Sequence, residues 1–292
     1  QLHKDEVPID EACVKHLLES QFPHWATLPL ERITPEGTDN VMFYLGDDKV
    51  IRLPRMVSSG KCLEREINIL PQLQSHLPIP IPSIIESGTP SNNYPFPWVI
   101  CSRLPGSNPS KTNPLNLQQA AEYLGHFVVA LQAIHPADGP ACHRSHPLAS
   151  HDTITQQAID SLGHSFDRKR LLHIWKQALT QSEDDQALVW AHGDLHAGNL
   201  LAEQGNISAV IDFGCSGLGD PAVDCMVAWT LFTPESREIF KATVKPDNAT
   251  WERGRAWALN MGALAYPYYE QSNPGFAAIA KRTLDAILLE AN

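Results

Sequence analysis

Three side chains able to do chemistry stand in the order Asp194, Asn199, Asp212. The first two lie in Trp190-Ala-His192-Gly-Asp194-Leu-His196-Ala-Gly-Asn199, the third in Ala209-Val-Ile211-Asp212-Phe213-Gly214. Leu200–Ala202 and Ile207–Asp212 read as strands, joined by the turn-forming cluster Glu203-Gln-Gly-Asn206. Folded back, that hairpin brings Asp212 level with Asn199, about one strand spacing away. A carboxylate and an amide oxygen so placed can share a hard cation such as Mg²⁺, which takes oxygen ligands. Asp194 sits in the preceding loop, where a hydroxyl could approach. One base and two metal ligands on one hairpin suit phosphoryl transfer, where catalysis is mostly positioning and charge neutralisation.

The apolar run Ala187-Leu-Val-Trp190 reads as a buried strand leading into this loop. Two other chemistries compete for the same residues. His192 and His196 have the spacing of a zinc-binding His-Glu-x-x-His pair, but that motif needs a helix, and here Gly193 and a hairpin follow. His192 is better read as a structural brace. Gly214-Cys-Ser-Gly217-Leu-Gly219 superficially suggests a dinucleotide fingerprint, yet the order is G-x-x-G-x-G and the stretch runs into Asp220-Pro221. No G-x-x-x-x-G-K-[ST] phosphate loop is present; Gly60-Lys61-Cys62 is only a fragment of one.

The two motifs together resemble the catalytic loop and metal-binding Asp-Phe-Gly of the aminoglycoside phosphotransferase family, relatives of the protein kinases. His192-Gly193-Asp194 matches the family's His-Gly-Asp. The resemblance implies Asp194 as catalytic base and Asn199 and Asp212 as Mg²⁺ ligands. It implies an α+β, bilobal protein-kinase-like fold, with a small β-rich N-lobe over 1–101, a hinge at 102–106 and a larger, mainly helical C-lobe over 107–292. It also implies ATP or GTP as phosphoryl donor and a small-molecule hydroxyl as acceptor. An aminoglycoside or macrolide antibiotic comes first, with a sugar, choline-like or homoserine-like acceptor as the metabolic alternative. A non-catalytic nucleotide-binding protein is the reading from another class, and the intact Asp194, Asn199 and Asp212 set disfavours it.

Along the chain, Asp10 can cap a helix over Glu11–Gln21 with Val14, Leu17 and Leu18 as its apolar stripe. Leu28–Ile33, Val41–Leu45 and Lys49–Leu53 are strand candidates, and Pro35-Glu-Gly37-Thr-Asp-Asn40 joins the first pair. In the family that turn covers the nucleotide phosphates. Arg52, in Val50-Ile-Arg52-Leu-Pro-Arg55, takes the place of the phosphate-pairing kinase lysine, as in a similar segment of macrolide phosphotransferases; it offers a bidentate fork rather than a point charge. Lys61–Gln74 reads as a helix whose Leu63-Glu64-Arg65-Glu66 resembles the family's Glu-Arg-Glu, so Glu66 pairs with Arg52 and Glu64 is the rival. Pro78–Pro82 is an extended connector. Trp98–Ser102 is a strand, and by resemblance Ser102 to Leu104 supply backbone groups for the nucleotide base.

Beyond the hinge, Leu117–Ile134, Thr153–Ser161 and Asp167–Gln181 read as helices. Residues 136–151, with His143, His146 and His151, read as a polar loop. Asp220-Pro221 can cap a helix, and Asp224 matches the family acid that braces the catalytic loop. Residues 222–233, 235–244, 251–266 and 276–290 complete the helical expectations.

The 292 residues are 43% hydrophobic and 19% charged, ordinary for a soluble globular protein. No apolar run is long enough to span a bilayer, and Gln1-Leu-His-Lys-Asp-Glu lacks a signal-peptide pattern. Six scattered cysteines without a Cys-x-x-Cys pair suggest reduced thiols and a cytoplasmic location. A net charge of −11 disfavours nucleic acid or an anionic membrane as partner.

Overall fold

Asp10 accepts a hydrogen bond from Cys13 N at 2.8 Å. It thereby caps helix α1 (Glu11–Gln21), whose Val14, Leu17 and Leu18 are buried, the cap and stripe the sequence predicts. The computed structural model of the chain describes residues 6–34, 39–110, 113–135, 139–144, 147–181 and 187–290. Most of the expected phosphate-covering turn (35–38) and His146 lie outside the described residues. The chain divides into two units, Gln1–Ser75 with Pro80–Pro105, and His76–Ile79 with Gly106–Asn292.

The first unit holds β1 (Leu30–Arg32), β2 (Asn40–Leu45), β3 (Lys49–Pro54), α2 (Val57–Leu73), β4 (Ile84–Gly88) and β5 (Trp98–Ser102). The strands form an antiparallel sheet in the order β1-β2-β3-β5-β4. Alternation along β3 decides which side chain meets which helix. Ile51 is in register with Phe43 and Ile100, and all three join the core that includes Val14, Leu17 and Leu18 of α1. Arg52, one residue on, lies between Met42 and Val99 on the opposite face. There Val99 and Cys101 pack with Leu63 of α2.

Two elements of this unit depart most from expectation. Helix α2 begins at Val57 rather than Lys61: Ser58, Ser59 and Gly60 are weak helix formers, but Ser59 and Gly60 are buried, so packing overrides propensity. Strand β4, which pairs with β5, follows the proline-rich connector where no strand was foreseen.

The second unit contains α3 (Leu117–Gln132), α4 (Asp152–Ser161), α5 (Arg168–Ala178), β6 (Val189–Ala191), β7 (Leu200–Glu203), β8 (Asn206–Val210), β9 (Gly217–Gly219), α6 (Val227–Thr230), α7 (Pro234–Val244), α8 (Asn248–Tyr269) and α9 (Pro274–Glu290). Strands β7 and β8 form one hairpin, and β6 pairs antiparallel with β9. Helix α8 is buried on most sides from Thr250 to Ala265, and α9 packs along it. Instead of one helix over 222–233, the chain makes a 3₁₀ turn at Asp224–Met226 and then the short α6. No helix among the described residues is long and apolar enough to cross a membrane. All six cysteines are free thiols.

Candidate active site

The β7–β8 turn puts Gln204 and Gly205 at φ 51° and 84°, a two-residue turn whose twist suits the strands it joins. The ladder runs back through Leu201↔Ala209 to Leu200↔Val210. Beyond it, Ile211 N donates to Asn199 O at 2.9 Å. Asn199 therefore lies opposite the residue next to Asp212. Strand β8 stops at Val210 and not at Asp212, because Asp212 turns into the left-handed region at φ 67°, ψ 71°. Such backbone costs a non-glycine residue about 1–3 kcal/mol and persists only where its surroundings enforce it.

The loop before β7 is held by hydrogen bonds to buried groups. Asp224 accepts from His192 N (2.8 Å) and Gly193 N (2.9 Å) through its two carboxylate oxygens. His192 is fully buried, its Nε2 3.1 Å from Ile211 O and its ring edge-on to Phe213. Its Nδ1 accepts from Asp194 N, so the proton sits on Nε2 and donates to Ile211 O. Burial holds the His192 pKa below the ordinary histidine value, against the pull of Asp224 and Asp194. Burial likewise raises the Asp224 carboxyl, opposed by His192 and the two amides. With both its nitrogens engaged, His192 is the brace the sequence suggested and no zinc ligand.

Both Asp194 oxygens have donors. Oδ1 faces Arg144 Nη1 at 3.2 Å; Oδ2 faces His196 Nε2 and Asn199 Nδ2, each at 3.3 Å. Gly198 N donates to His196 Nδ1, which leaves the His196 proton on Nε2, directed at Asp194. Burial pushes the Asp194 pKa up, but His196, Arg144 and His192 outweigh it and hold the carboxyl well below the usual range. Asn199 Nδ2 also donates to Asp194 O at 2.9 Å. Its amide nitrogen is thus committed to the base, and the amide oxygen is the atom able to serve a cation. An amide oxygen and a carboxylate are hard oxygen donors of the kind Mg²⁺ takes, so the chemistry of Asn199 and Asp212 suits that cation.

In the first unit, Arg52 Nη1 lies 2.8 Å from Glu66 Oε2, with side chains 10% and 1% exposed. The rival Glu64 is exposed. Strand parity and the Leu63, Glu66, Leu70 stripe of α2 bring this pair together. At the end of β5, Ser102 N donates to Ser83 O and Arg103 N to Asp48 O. Among the described residues, Leu104 N–H has no such backbone partner.

Three features escaped the sequence. Arg144 belongs to a stretch that read as a polar loop, fifty positions from its partner. His196 was weighed only as a zinc ligand, yet it bonds the base. Asp220 was expected to cap a helix but closes only a turn through Ala222 N, since no helix begins at Pro221, and it also pairs with the buried Arg253 (2.8 Å). Nothing local in the sequence signals these pairings.

The sequence model of the phosphotransferase enzyme family matches residues 31–257. A search of curated protein sequences gave no match. Many solved structures share the fold. The GDP complex of wild-type aminoglycoside 2'-phosphotransferase-IIIa superposes with a TM-score of 0.76, covering 97% of this chain and 99% of that one at 17% identity. The GDP and kanamycin complex of APH(2")-IIia gives 0.75 over 96% and 99%, also at 17% identity. Macrolide 2'-phosphotransferase MphH from Brachybacterium faecium gives 0.60 over 96% and 98% at 21% identity. The chain is thus similar in fold to kinase-like enzymes with a small antiparallel-sheet lobe and a helical lobe.

Proposed function

This chain belongs to the phosphotransferase enzyme family, and on that premise we propose that it moves the γ-phosphoryl group of ATP or GTP to a hydroxyl of a small molecule, with an aminoglycoside or macrolide antibiotic as the acceptor class. The observation that carries the reading is the junction of Asp194, Asn199 and the hairpin, where Asn199 bonds both the backbone and the side chain of Asp194 while Asp212 follows its strand partner. The fold-sharing enzymes named above phosphorylate aminoglycosides or macrolides by name, and two of those structures hold GDP. This supports a nucleotide donor and a small-molecule acceptor.

In this reading the acceptor oxygen bonds to the γ-phosphorus and the bridging oxygen–γ-phosphorus bond breaks. The hydroxyl proton passes to Asp194. Asp194 chiefly orients the hydroxyl and takes its proton late, as a loose transition state allows. Mg²⁺ bound at Asn199 and Asp212 would supply charge neutralisation on the phosphate oxygens. Arg52, oriented by Glu66, is assigned to the donor phosphates, and Ser102 and Leu104 to the base of the nucleotide. The reaction belongs to the cytoplasm, where both nucleotides are available.

The test is label transfer from γ-labelled ATP and GTP, with Mg²⁺, to a panel of aminoglycosides, macrolides, sugars, choline-like amines and homoserine-like alcohols. Label on an antibiotic supports the full reading, and label on a metabolic alcohol retains the enzyme but replaces the acceptor class. A chain that binds no nucleotide, or binds it and turns over with nothing, refutes the proposal.

A further inference from the structure

Residues 139–144 run beside β9. Leu218 N donates to Pro140 O (2.8 Å), Cys142 N to Leu218 O (2.9 Å) and His143 N to Cys215 O (2.9 Å). With the isolated parallel Ala141↔Leu218 bridge, these bonds hold the segment along the open edge of β9. The approach is close enough to dictate glycines. A Cβ on Gly217 would lie 2.3 Å from Pro140 O. One on Gly193, already at φ +86°, would lie 2.7 Å from Cys215 O and 2.9 Å from Cys142 Sγ. The backbone carrying Arg144 is therefore fixed against the catalytic loop without any help from the Arg144 side chain.

That side chain is nevertheless sent inward. It is 13% exposed, with Nη1 3.2 Å from Asp194 Oδ1 and also against Gly193 O. Burying a guanidinium is costly unless it meets an acceptor, and here the acceptors are the proposed base and the carbonyl next to it. The opposite oxygen, Oδ2, is held by His196 and Asn199. A carboxylate gripped on both oxygens cannot rotate about its terminal bond. Both lone pairs of Oδ2 are taken, whereas Oδ1 accepts only from Arg144 among the described residues and keeps one for a hydroxyl.

We infer that Arg144 is a positioning residue for phosphoryl transfer, setting the plane of the Asp194 carboxylate that receives the acceptor hydroxyl. The inference rests on the proposed role of Asp194. It adds a contact from outside both motifs, delivered by a segment whose sequence carries no catalytic signature.

Arg144→Ala and Arg144→Lys test it, with Mg²⁺-dependent splitting of ATP or GTP as readout, using water or any panel compound that takes label as acceptor. Arg144→Ala should lower kcat about 10²-fold, the scale of an ångström-level misplacement, with nucleotide Kd unchanged. Methylguanidinium should restore part of the lost kcat in Arg144→Ala, but none in Asp194→Ala. Arg144→Lys, which keeps the charge without the planar fork, should fall between. If Arg144→Ala does not fold, Arg144→Lys and Arg144→Gln decide in its place by the same kcat and Kd comparison. Wild-type kcat in the variants overturns the inference. So does a loss of kcat matched by lost nucleotide affinity and thermal stability, without rescue. A wild-type chain that binds no nucleotide, or never splits it, overturns the underlying phosphotransfer reading instead.

Discussion

Replacing Asp224 with Asn changes one buried atom from acceptor to donor and leaves the shape intact. The carboxylate is fully buried and divides its oxygens between His192 N and Gly193 N at 2.8 and 2.9 Å. In Asp224→Asn, one of those amides keeps an oxygen and the other faces an NH₂. A hydrogen bond to a charged group contributes about 1.5–3 kcal/mol, and an orphaned buried donor costs about 1–3 kcal/mol. The substitution also removes a charge whose burial is unfavourable, as its raised pKa records, which offsets part of that loss. The expected net cost is therefore about 1–3 kcal/mol, or roughly 2–12 °C in Tm at about 2–4 °C per kcal/mol for a chain of this size. Because the freed amide lies one or two residues from Asp194, kcat should fall about 10²-fold while nucleotide binding holds. Thermal unfolding and nucleotide turnover, the latter well below Tm, measure the two effects separately. A lowered Tm with wild-type kcat would show that the brace stabilises the loop without placing the base. No change in either would mean that the two amides do not depend on Asp224.

Asp194→Ala should lower kcat by about 10²–10⁴ with nucleotide affinity barely altered, and unchanged turnover would remove Asp194 as the base. Glu66→Ala, which takes one partner from a pair that is 1% and 10% exposed, should cost about 3–5 kcal/mol in urea unfolding. Lys15→Ala, in a pair more than half exposed, should cost less than about 0.5 kcal/mol, and equal losses for the two would contradict the role of burial. Gly217→Ala pushes a methyl to 2.3 Å from Pro140 O, and backbone on backbone cannot yield cheaply. A loss of about 1–3 kcal/mol is expected, and an unchanged Tm would show that segment 139–144 is not held in place there.

Local chemistry made much of the molecule legible. The Asp10 cap, the α1 stripe, β5 and the hairpin turn at Gln204-Gly205 are written within a few residues of where they act. The pairing of Asn199 with Ile211, next to Asp212, needs more than that turn: the register shifts by one residue between Leu201 and Ala202, which nothing in the sequence signals. Strand β9 was not legible, because Gly217-Leu-Gly219 has neither β-branched residues nor alternation and forms only against Trp190 and Pro140. Strand β4 is hidden for a similar reason: its Glu86-Ser87-Gly88 reads as a turn, and pairing with β5 supplies the order. Arg144 could not be seen at all, since it reaches Asp194 only after β9 has drawn its segment alongside.

These two kinds of legibility correspond to two ways of holding the site. Asn199 and Asp212 sit on opposite strands of one hairpin, so a change of its register would slide one ligand past the other and break up the cation position. Asp194 is tied to the hairpin by Asn199 but is placed mostly from outside it: by Asp224 on the amides before it, by Arg144 on one oxygen, by His196 on the other, and by the tight passage of Gly193 past Cys215 and Cys142. Substitutions at 144, 217 and 224 should therefore disturb the base while sparing the hairpin. They should lower kcat without weakening Mg²⁺-dependent nucleotide binding, whereas lengthening the 203–206 turn should weaken that binding first. The reverse order, with hairpin changes lowering kcat alone and loop-brace changes abolishing nucleotide binding, would mean that base and cation ligands are held by one shared support.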